Sequence, residues 1–311
     1  MSALICGSFA YDTIMVFQDR FKNHILPDKV HILNVAFYVP EMRREFGGCA
    51  GNIAYNLKLL GGDPVPMGTV GTDFGPYAEW MDYQGINRSH VATVENSYTA
   101  QAFITTDMDD NQITAFHPGA MNSAHLNRVT DADGVTIGMV SPDGRQGMVD
   151  HAAQFVEAGI PFVFDPGQGL PMFNGDDLRE FIDKASWICV NDYEMQLLQE
   201  RTGLSPHEIA ERVEALIVTL GGQGSHIYTG NQRIEVPAAK ARQQNDPTGC
   251  GDAYRGGLLY GIMKQLDWET TGRIAALMGA VKIEHYGTQN HHFSTNEFRQ
   301  RYRENFDADF S

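Results

Sequence analysis

Short apolar runs and helical repeats of apolar residues alternate along most of the chain. The apolar runs, which are typical of buried strands, lie at 3–6, 64–70, 135–140, 161–164, 187–190 and 216–219. Apolar residues spaced three and four apart predict helices at 52–60, 75–84, 144–158, 175–184, 192–201, 206–215, 251–263, 268–284 and 294–306. Because strands alternate with helices, we expect right-handed crossovers and a mainly parallel sheet covered on both faces.

Two stretches depart from this alternation. Residues 13–46 mix aromatic, proline and charged residues without a steady helical period, which predicts short strands and loops. Strand-like segments on either side of a polar turn predict a hairpin at 101–116. A further hairpin, at 225–236, is expected at a sheet edge. We therefore expect insertions that form one small β lid on an α/β core, the core being residues 1–12, 47–95 and 120–311 and the lid residues 13–46 and 96–119.

The helix predicted at 251–263 has one nearly bare face. Ala253, Gly257 and Gly261 recur at every fourth position. Each interior glycine costs about 1 kcal/mol relative to alanine. We expect close packing of this helix against the sheet to offset that cost.

Composition and charge narrow the function. A formal net charge of −16 argues against a surface for nucleic acid or anionic membrane, since both need clustered Lys and Arg. The four cysteines are scattered without a metal-site spacing, which fits a reducing compartment. The sequence starts without a basic, then apolar, signal-peptide pattern, and no stretch approaches a membrane span. These features predict a cytoplasmic soluble protein, and they leave open an anionic small ligand held by backbone amides.

The glycine-rich segment 246–252 is the strongest candidate for chemistry. A polar turn leads directly into an apolar helix, with Asp252 at the junction. The first turn of a helix has unpaired N–H groups and a favourable dipole for anions, so this junction is suited to phosphate. A carboxylate there could remove a proton from an attacking hydroxyl. The alternative is an ordinary helix start, with Thr248 or Asp252 as the cap.

Other polar positions have an ordinary alternative. The P-loop pattern GxxxxGK[ST] is absent from the sequence. Residues 219–224 follow an apolar run and lie at the carboxyl end of a strand, although a strand-to-strand turn would read alike. Asn191 and Glu194 form a capping-box pattern, and they could also face a phosphate-bound Mg²⁺. Asp12 lies where a carboxylate can accept hydrogen bonds from paired hydroxyls, or in a turn.

Taken together, these motifs resemble one family. The segment Gly47-Gly48-Cys49-Ala50-Gly51-Asn52 resembles the first signature of the ribokinase-like (PfkB) carbohydrate and nucleoside kinases, and 246–252 resembles the second. The second signature is specific, whereas the remaining matches gain weight from their shared order. These remaining matches are 7–12, 68–75, 191–194, 219–224 and 287–289. The resemblance covers essentially the whole chain and is nearest to bacterial adenosine and nucleoside kinases.

The resemblance implies a three-layer α/β sandwich with a small β lid and an active site for ATP-dependent phosphoryl transfer. It implies that Asp252 is the base and that the amides of Gly249, Cys250 and Gly251 form the anion hole. The sugar hydroxyls would be held by Asp12, Asn52 and the Gly47 and Gly48 backbone. Asn191 and Glu194 would organise Mg²⁺ and phosphate. The ATP site would be lined by Thr219, Gly221, Gly222 and Gly224, and Asp246 would help to form the K⁺ site that many members have.

Two residues depart from the family pattern. Pro247 stands where Thr or Ser is usual, which removes a hydroxyl and stiffens the turn. Arg255 lies one helical turn after Asp252, where an apolar residue is usual, and could contact a phosphate or pair with an acid. Between these two we favour the phosphate contact.

The acceptor is the least constrained part of this prediction. Phe116 and the aromatic residues within 9–38 could stack on a nucleobase. The long first insertion and the 287–289 ending resemble those of nucleoside kinases. We therefore expect 5′-phosphorylation of a ribonucleoside, adenosine first and inosine or guanosine next, by a monomer or homodimer. A free sugar such as ribose or fructose is the alternative, ahead of a non-catalytic binder or an oxidoreductase.

Overall fold

The computed structural model describes residues 1–25, 34–109 and 111–310. Within them, the strands form a nine-stranded sheet and a four-stranded sheet. The strands of the large sheet are β1 Ser2–Cys6, β4 Pro64–Val70, β5 His90–Thr93, β8 Val135–Val140, β9 Phe162–Phe164, β10 Trp187–Asn191, β11 Ala215–Thr219, β12 Ser225–Thr229 and β13 Gln232–Val236. Their order is β13-β12-β11-β10-β9-β8-β1-β4-β5, and the pairs from β5 to β11 are parallel.

Helices cover both faces of this sheet. They are α1 Cys49–Leu59, α2 Gly75–Gln84, α3 Arg145–Glu157, α4 Gly175–Lys184, α5 Asp192–Thr202, α6 Pro206–Ala210, α7 Cys250–Met263, α8 Trp268–Ile283 and α9 Thr295–Phe306. Residues of α1, α2, α7 and α8 form one core cluster with the sheet, residues of α3 to α6 form a second on its other face, and α9 packs on α7 and α8 in a third. Side chains alternate between the first two, since Ala3 and Ile5 belong to the first and Leu4 and Cys6 to the second. The result is the three-layer α/β sandwich that the sequence predicts.

The small sheet has the order β3-β2-β6-β7. Its strands are β2 Ala10–Val16, β3 Glu41–Gly47, β6 Ala100–Thr106 and β7 Gln112–His117. The predicted hairpin is confirmed, because β6 and β7 pair in antiparallel fashion. Asp12 lies within β2, and therefore on the small sheet. The division of the chain into core and lid stays a prediction, and within the first insertion Pro27 and its neighbours lie outside the described residues.

The structure differs from the sequence prediction at three elements. Helix α6 ends at Ala210 rather than at 215, because the run that begins at Ala215 pairs as a strand with β10. The short edge strand β5 was not predicted. The bare face of α7 packs against α8 rather than against the sheet, since a Cβ on Gly257 would come within 2.6 Å of the Ala275 Cα.

Residues 225–236 form the predicted edge hairpin, with β12 antiparallel to both β11 and β13. The parallel strands all end at one edge of the large sheet, and the loops that follow them gather there. None of the helices in the described parts of the chain has the length and apolar character that a bilayer span requires.

Candidate active site

An open cavity of about 500 Å³ lies between the carboxyl edge of the large sheet and one face of the small sheet. It brings together predicted site residues that lie far apart in the sequence, such as Asp12 and Asp252. From the small sheet and the start of α1 these are Asp12, Gly48 and Asn52. From the large-sheet edge and the start of α7 they are Asn191, Glu194, Gly249, Gly251 and Asp252. Phe116 also lines the cavity, from β7.

Helix α7 points its N-terminus into this cavity. Gly249 precedes the helix with a φ of 77°, a left-handed conformation that suits glycine, and no side chain of the described residues caps the helix. The preceding turn is held by two hydrogen bonds: Thr248 N–H donates to Asp246 Oδ1 at 2.9 Å, and Cys250 N–H donates to the Pro247 carbonyl at 3.2 Å. The Cys250 N–H is thus engaged by the turn, whereas Gly249 and Gly251 line the cavity, where a helix start can present its N–H groups to an anion.

A chain of amide hydrogen bonds orients the carboxylate of Asp252. The indole Nε1 of Trp80 donates to Gln289 Oε1 at 2.9 Å, and Gln289 Nε2 donates to Asn52 Oδ1 at 3.0 Å. Asn52 Nδ2 then donates to Asp252 Oδ2 at 2.8 Å. Because an indole nitrogen can only donate, each amide in the chain has one consistent orientation. Gln289 belongs to the matched segment 287–289, but neither its contact with Asn52 nor the part played by Trp80 was predicted, since nothing local links them to Asp252.

Two of the carboxyl groups that line the cavity, those of Asp12 and Asp252, have pKa values raised above the ordinary value for aspartate. Burial raises the pKa of Asp252, while the Asn52 hydrogen bond and the nearby Arg255 charge oppose the rise. Burial and the charges of Glu45 and Asp246 raise the pKa of Asp12 to about 6. A raised pKa makes Asp252 a better proton acceptor at neutral pH.

Asp12 is packed against the start of the first signature. A Cβ on Gly47 would come within 2.6 Å of Asp12 Oδ2, so only glycine lets the backbone approach this carboxylate. The carbonyl of Gly47 accepts a hydrogen bond from Tyr77 at 3.0 Å. Gly47 itself does not line the cavity among the described residues, but it fixes Asp12 facing it.

Asn191 and Glu194 form the predicted capping box at the start of α5. Asn191 Oδ1 accepts the Glu194 N–H at 2.7 Å, and Glu194 Oε2 accepts the Asn191 N–H at 2.8 Å. Burial raises the pKa of Glu194. Each side chain also lines the cavity, so the capping role and a ligand role are compatible. The remaining oxygen of Glu194 is the part that a ligand or its water can use.

The loop after β11 lies beside these residues. Thr219 pairs with Asn191 across the parallel strands, and Gly221–Gln223 form a single 3₁₀ turn before β12. Thr219, Gly221, Gly222 and Gly224 do not line the cavity as the described residues form it. The loop makes a strand-to-strand turn at the same sheet edge as Asn191, and its contact with ATP stays a prediction.

Arg255 is a buried member of an ion-pair cluster. Its guanidinium pairs with Asp165, with Nη2 at 2.7 Å from Oδ1, and Nη2 lies 3.7 Å from Glu194 Oε2. Its Nη1 donates to the Gly251 carbonyl at 3.2 Å. The structure thus shows the pairing with acids that was the alternative, whereas the favoured phosphate contact stays a prediction, since Arg255 also lines the cavity. Asp165, at the end of β9, is the partner that sequence reasoning missed.

Asp246 holds the turn before α7 and is itself fully engaged. Its Oδ1 accepts the Thr248 N–H and its Oδ2 accepts the Gly287 N–H at 2.9 Å. These amides and the Lys282 charge lower the pKa of Asp246 against the effect of burial. The Nζ of Lys282, a fully buried residue, donates to the Asp246 carbonyl at 2.8 Å and to the His285 carbonyl at 3.1 Å.

Comparisons with known proteins agree with this arrangement. A model described as pfkB family carbohydrate kinase matches residues 10–295. A solved nucleoside kinase of Burkholderia thailandensis in complex with inosine is 52% identical, with a TM-score of 0.90 and 99% of each chain covered. The same protein in complex with ADP-inosine is 54% identical, with a TM-score of 0.88, covering 99% of this chain and 97% of that one.

A more distant relative extends the likeness. A nucleoside kinase of Methanocaldococcus jannaschii is 34% identical over 258 residues, which are 82% of this chain and 85% of the relative. The solved structure of a Methanocaldococcus jannaschii nucleoside kinase, described as an archaeal member of the ribokinase family, aligns at 30% identity with a TM-score of 0.87 over 98% and 99% of the chains. The predicted ribokinase-like fold is thereby confirmed.

Proposed function

The chain belongs to the pfkB family of carbohydrate kinases, and we propose that it transfers the γ-phosphoryl group of ATP to the 5′-hydroxyl of a ribonucleoside. The observation that carries this proposal is the meeting of Asp252, at the uncapped start of α7, with Asp12 and Asn52 in one cavity. The solved complexes of the Burkholderia thailandensis nucleoside kinase with inosine and with ADP-inosine support a purine nucleoside as acceptor.

In this proposal Asp252 removes the proton of the 5′-hydroxyl as it attacks the γ-phosphorus. The hydrogen bond from Asn52 orients one carboxylate oxygen of Asp252 and leaves the other for the hydroxyl. The raised pKa of Asp252 makes the carboxylate a better proton acceptor. The backbone amides of Gly249 and Gly251, which line the cavity, stabilise the charge that develops on the transferred group. The Cys250 N–H, expected from the sequence to join them, donates to the Pro247 carbonyl and holds the turn instead. Positioning and charge stabilisation supply most of the rate in such a reaction.

The acceptor is held from the small sheet. Asp12 accepts hydrogen bonds from the ribose hydroxyls, and Asn52 and the Gly47–Gly48 backbone border the same ring. Phe116 projects into the cavity from β7 and is about half exposed, with 51% of its surface accessible. An exposed ring beside the sugar site is suited to stacking on a base. The small sheet acts as a lid that excludes water from the transferred phosphoryl group.

The phosphate donor lies along the large-sheet edge, beside Asn191 and the loop of Thr219, Gly221, Gly222 and Gly224. The residues fit magnesium, because Mg²⁺ keeps most of its waters and needs few protein ligands, and Glu194 presents an oxygen to the cavity. When bound, Mg²⁺ neutralises and aligns the phosphate oxygens. Arg255 holds Glu194 and Asp165 in place beneath the phosphate site.

A substrate panel tests the proposal. ADP release is measured with ATP and adenosine, inosine, guanosine, ribose or fructose as acceptor. We expect turnover with nucleosides, with adenosine and inosine among the best. Turnover of ribose or fructose without turnover of any nucleoside would make the nucleoside assignment wrong, in favour of a sugar kinase.

A pair of variants tests where the nucleobase of the acceptor binds. Phe116→Ala removes the ring that lines the cavity, and stacking is worth about 1–3 kcal/mol per base, so the KM for nucleosides should rise about tenfold or more. The matched control is Phe103→Ala, because Phe103 lies on the neighbouring strand with its side chain on the opposite face. Equal KM values in the two variants would exclude Phe116 as the residue that stacks on the nucleobase.

A further inference from the structure

The ammonium group of Lys282 occupies a buried position whose surroundings would suit a monovalent cation. It is 0% exposed, and its Nζ donates to two backbone carbonyls, those of Asp246 and His285. It lies in the last turn of α8, where the helix dipole favours a positive charge. The charges of Asp246 and Glu45 oppose the lowering of its pKa by burial.

The contacts around Lys282 join the two loops that approach the start of α7. Asn245 and Asp246 donate their N–H groups to the Ile283 carbonyl, at 2.8 and 3.2 Å, so the turn is tied to the end of α8. The Gly287 N–H returns to the Asp246 carboxylate. Lys282 joins the same set of contacts through its hydrogen bond to the Asp246 carbonyl. Cation, carbonyls and carboxylate form one unit that fixes the turn before Gly249.

A second cation does not fit this unit. Both oxygens of the Asp246 carboxylate accept backbone N–H groups, and the Asp246 carbonyl accepts the Lys282 ammonium. A K⁺ ion sharing these oxygens would stand a few ångströms from a buried ammonium, where repulsion between like charges is strong. The expectation that Asp246 serves a K⁺ site therefore disagrees with the structure.

We propose that Lys282 is an internal ammonium that takes the place of a monovalent activating cation, so that the enzyme works without K⁺. Lys282 acts as a positioning residue: it orders residues 246–249 and, through them, the amides at the start of α7. It touches neither the acceptor nor the phosphate. The effect on enzyme activity rests on the proposed kinase reaction, whereas the effect on thermal stability is independent of that reaction.

The wild-type enzyme supplies the first test. Turnover of inosine and the midpoint of thermal unfolding, Tm, are compared in NaCl and KCl at equal ionic strength. We expect kcat/KM and Tm to be the same in both salts. A wild-type enzyme that gains activity or Tm in KCl but not in NaCl would overturn the proposal. If no nucleoside is phosphorylated, the Tm comparison still decides the cation question.

Variants supply the second test. Lys282→Ala leaves two buried carbonyls without their charged donor and makes room for an ion. In NaCl we expect kcat/KM to fall about tenfold or more, with a lower Tm, and KCl or NH₄Cl to restore part of both. Lys264→Ala, at an exposed lysine just after α7, is the control and should match the wild type. A Lys282→Ala enzyme that equals the wild type in NaCl would also overturn the proposal.

Discussion

The starts of α7 and α9 show two ways to treat the unpaired amides of a helix. At α9, which begins outside the cavity, the Ser294 side chain accepts the Glu297 N–H and the Glu297 side chain accepts the Ser294 N–H in a capping box. At α7, Gly249 takes the cap position and no described side chain replaces it. A cap stabilises a helix by about 1 kcal/mol, so its omission at α7 has a cost. What sets α7 apart is that its uncapped start also lines the cavity, where Gly249 and Gly251 can offer their N–H groups to a ligand.

The largest expected effect tests whether Asp252, at the start of α7, takes part in the reaction. Asp252→Asn removes the base and should lower turnover about 10²–10⁴-fold while nucleoside and ATP binding persist. The control is Asp267→Asn at the start of α8, where Asp267 only caps the helix and Asn caps equally well. Turnover by ADP release and binding by calorimetry separate the two. An Asp252→Asn enzyme with full turnover would remove Asp252 from the mechanism.

The next prediction concerns the Asp12 carboxyl group, which lines the same cavity as the start of α7, and the pH dependence of stability. Burial raises the pKa of Asp12 from 3.8 to about 6, so the folded state binds more protons between these pH values. Stability contributed by the protonated form is therefore lost as pH rises through about 6. Asp12→Asn should raise the free energy of unfolding at pH 7 by about 1–3 kcal/mol, and this gain should vanish below about pH 4. Urea unfolding at both pH values measures it, and a destabilised variant at pH 7 contradicts the assignment.

A pair of glycine substitutions sharpens the comparison further. Gly249 and Gly203 both have left-handed φ angles, 77° and 72°, and alanine at either costs about 1–2 kcal/mol of stability. Gly203 ends α5, and a Cβ there would meet nothing within 4 Å. Gly249→Ala should in addition lower kcat/KM, about tenfold, because the amides shift. Equal activity in the two variants would show that the geometry of the α7 start is unimportant.

The smallest effect concerns a helix that is capped and also borders the cavity. Asn191→Ala at α5 and Ser294→Ala at α9 should each cost about 1 kcal/mol of stability. Only Asn191→Ala should also raise the KM for ATP, because Asn191 lines the cavity. Urea unfolding and initial rates at varied ATP provide the two readouts. A raised KM in both variants would mean that stability, not contact, controls ATP affinity.

Local patterns were enough to predict most elements of the fold. The apolar run Pro64–Val70 and the helix Gly75–Gln84 have the predicted bounds, because burial on the sheet imposes a regular spacing. The helix expected to reach 215 stops at Ala210, because pairing of β11 with β10 overrides local helical preference. The strand β5 has only four residues, too few for a clear period.

The site was predictable only where its residues belong to glycine-rich motifs. Asp165 and Gln289 act through partners 90 and 237 positions away, and no short-range pattern announces such contacts. Lys282 escaped notice for a different reason. A lysine in the last turn of a helix is ordinarily an exposed complement to the dipole, and only the fold reveals its burial.

The hydrogen-bond chain from Trp80 to Asp252 gives the site an optical reporter. Trp80 is one of three tryptophans, and the other two, Trp187 and Trp268, line a separate cavity with Met1. Because the indole N–H of Trp80 is tied through Gln289 and Asn52 to the base, loading the site should change its fluorescence. Emission can then follow binding in real time without a label, and Trp80→Phe should silence the signal.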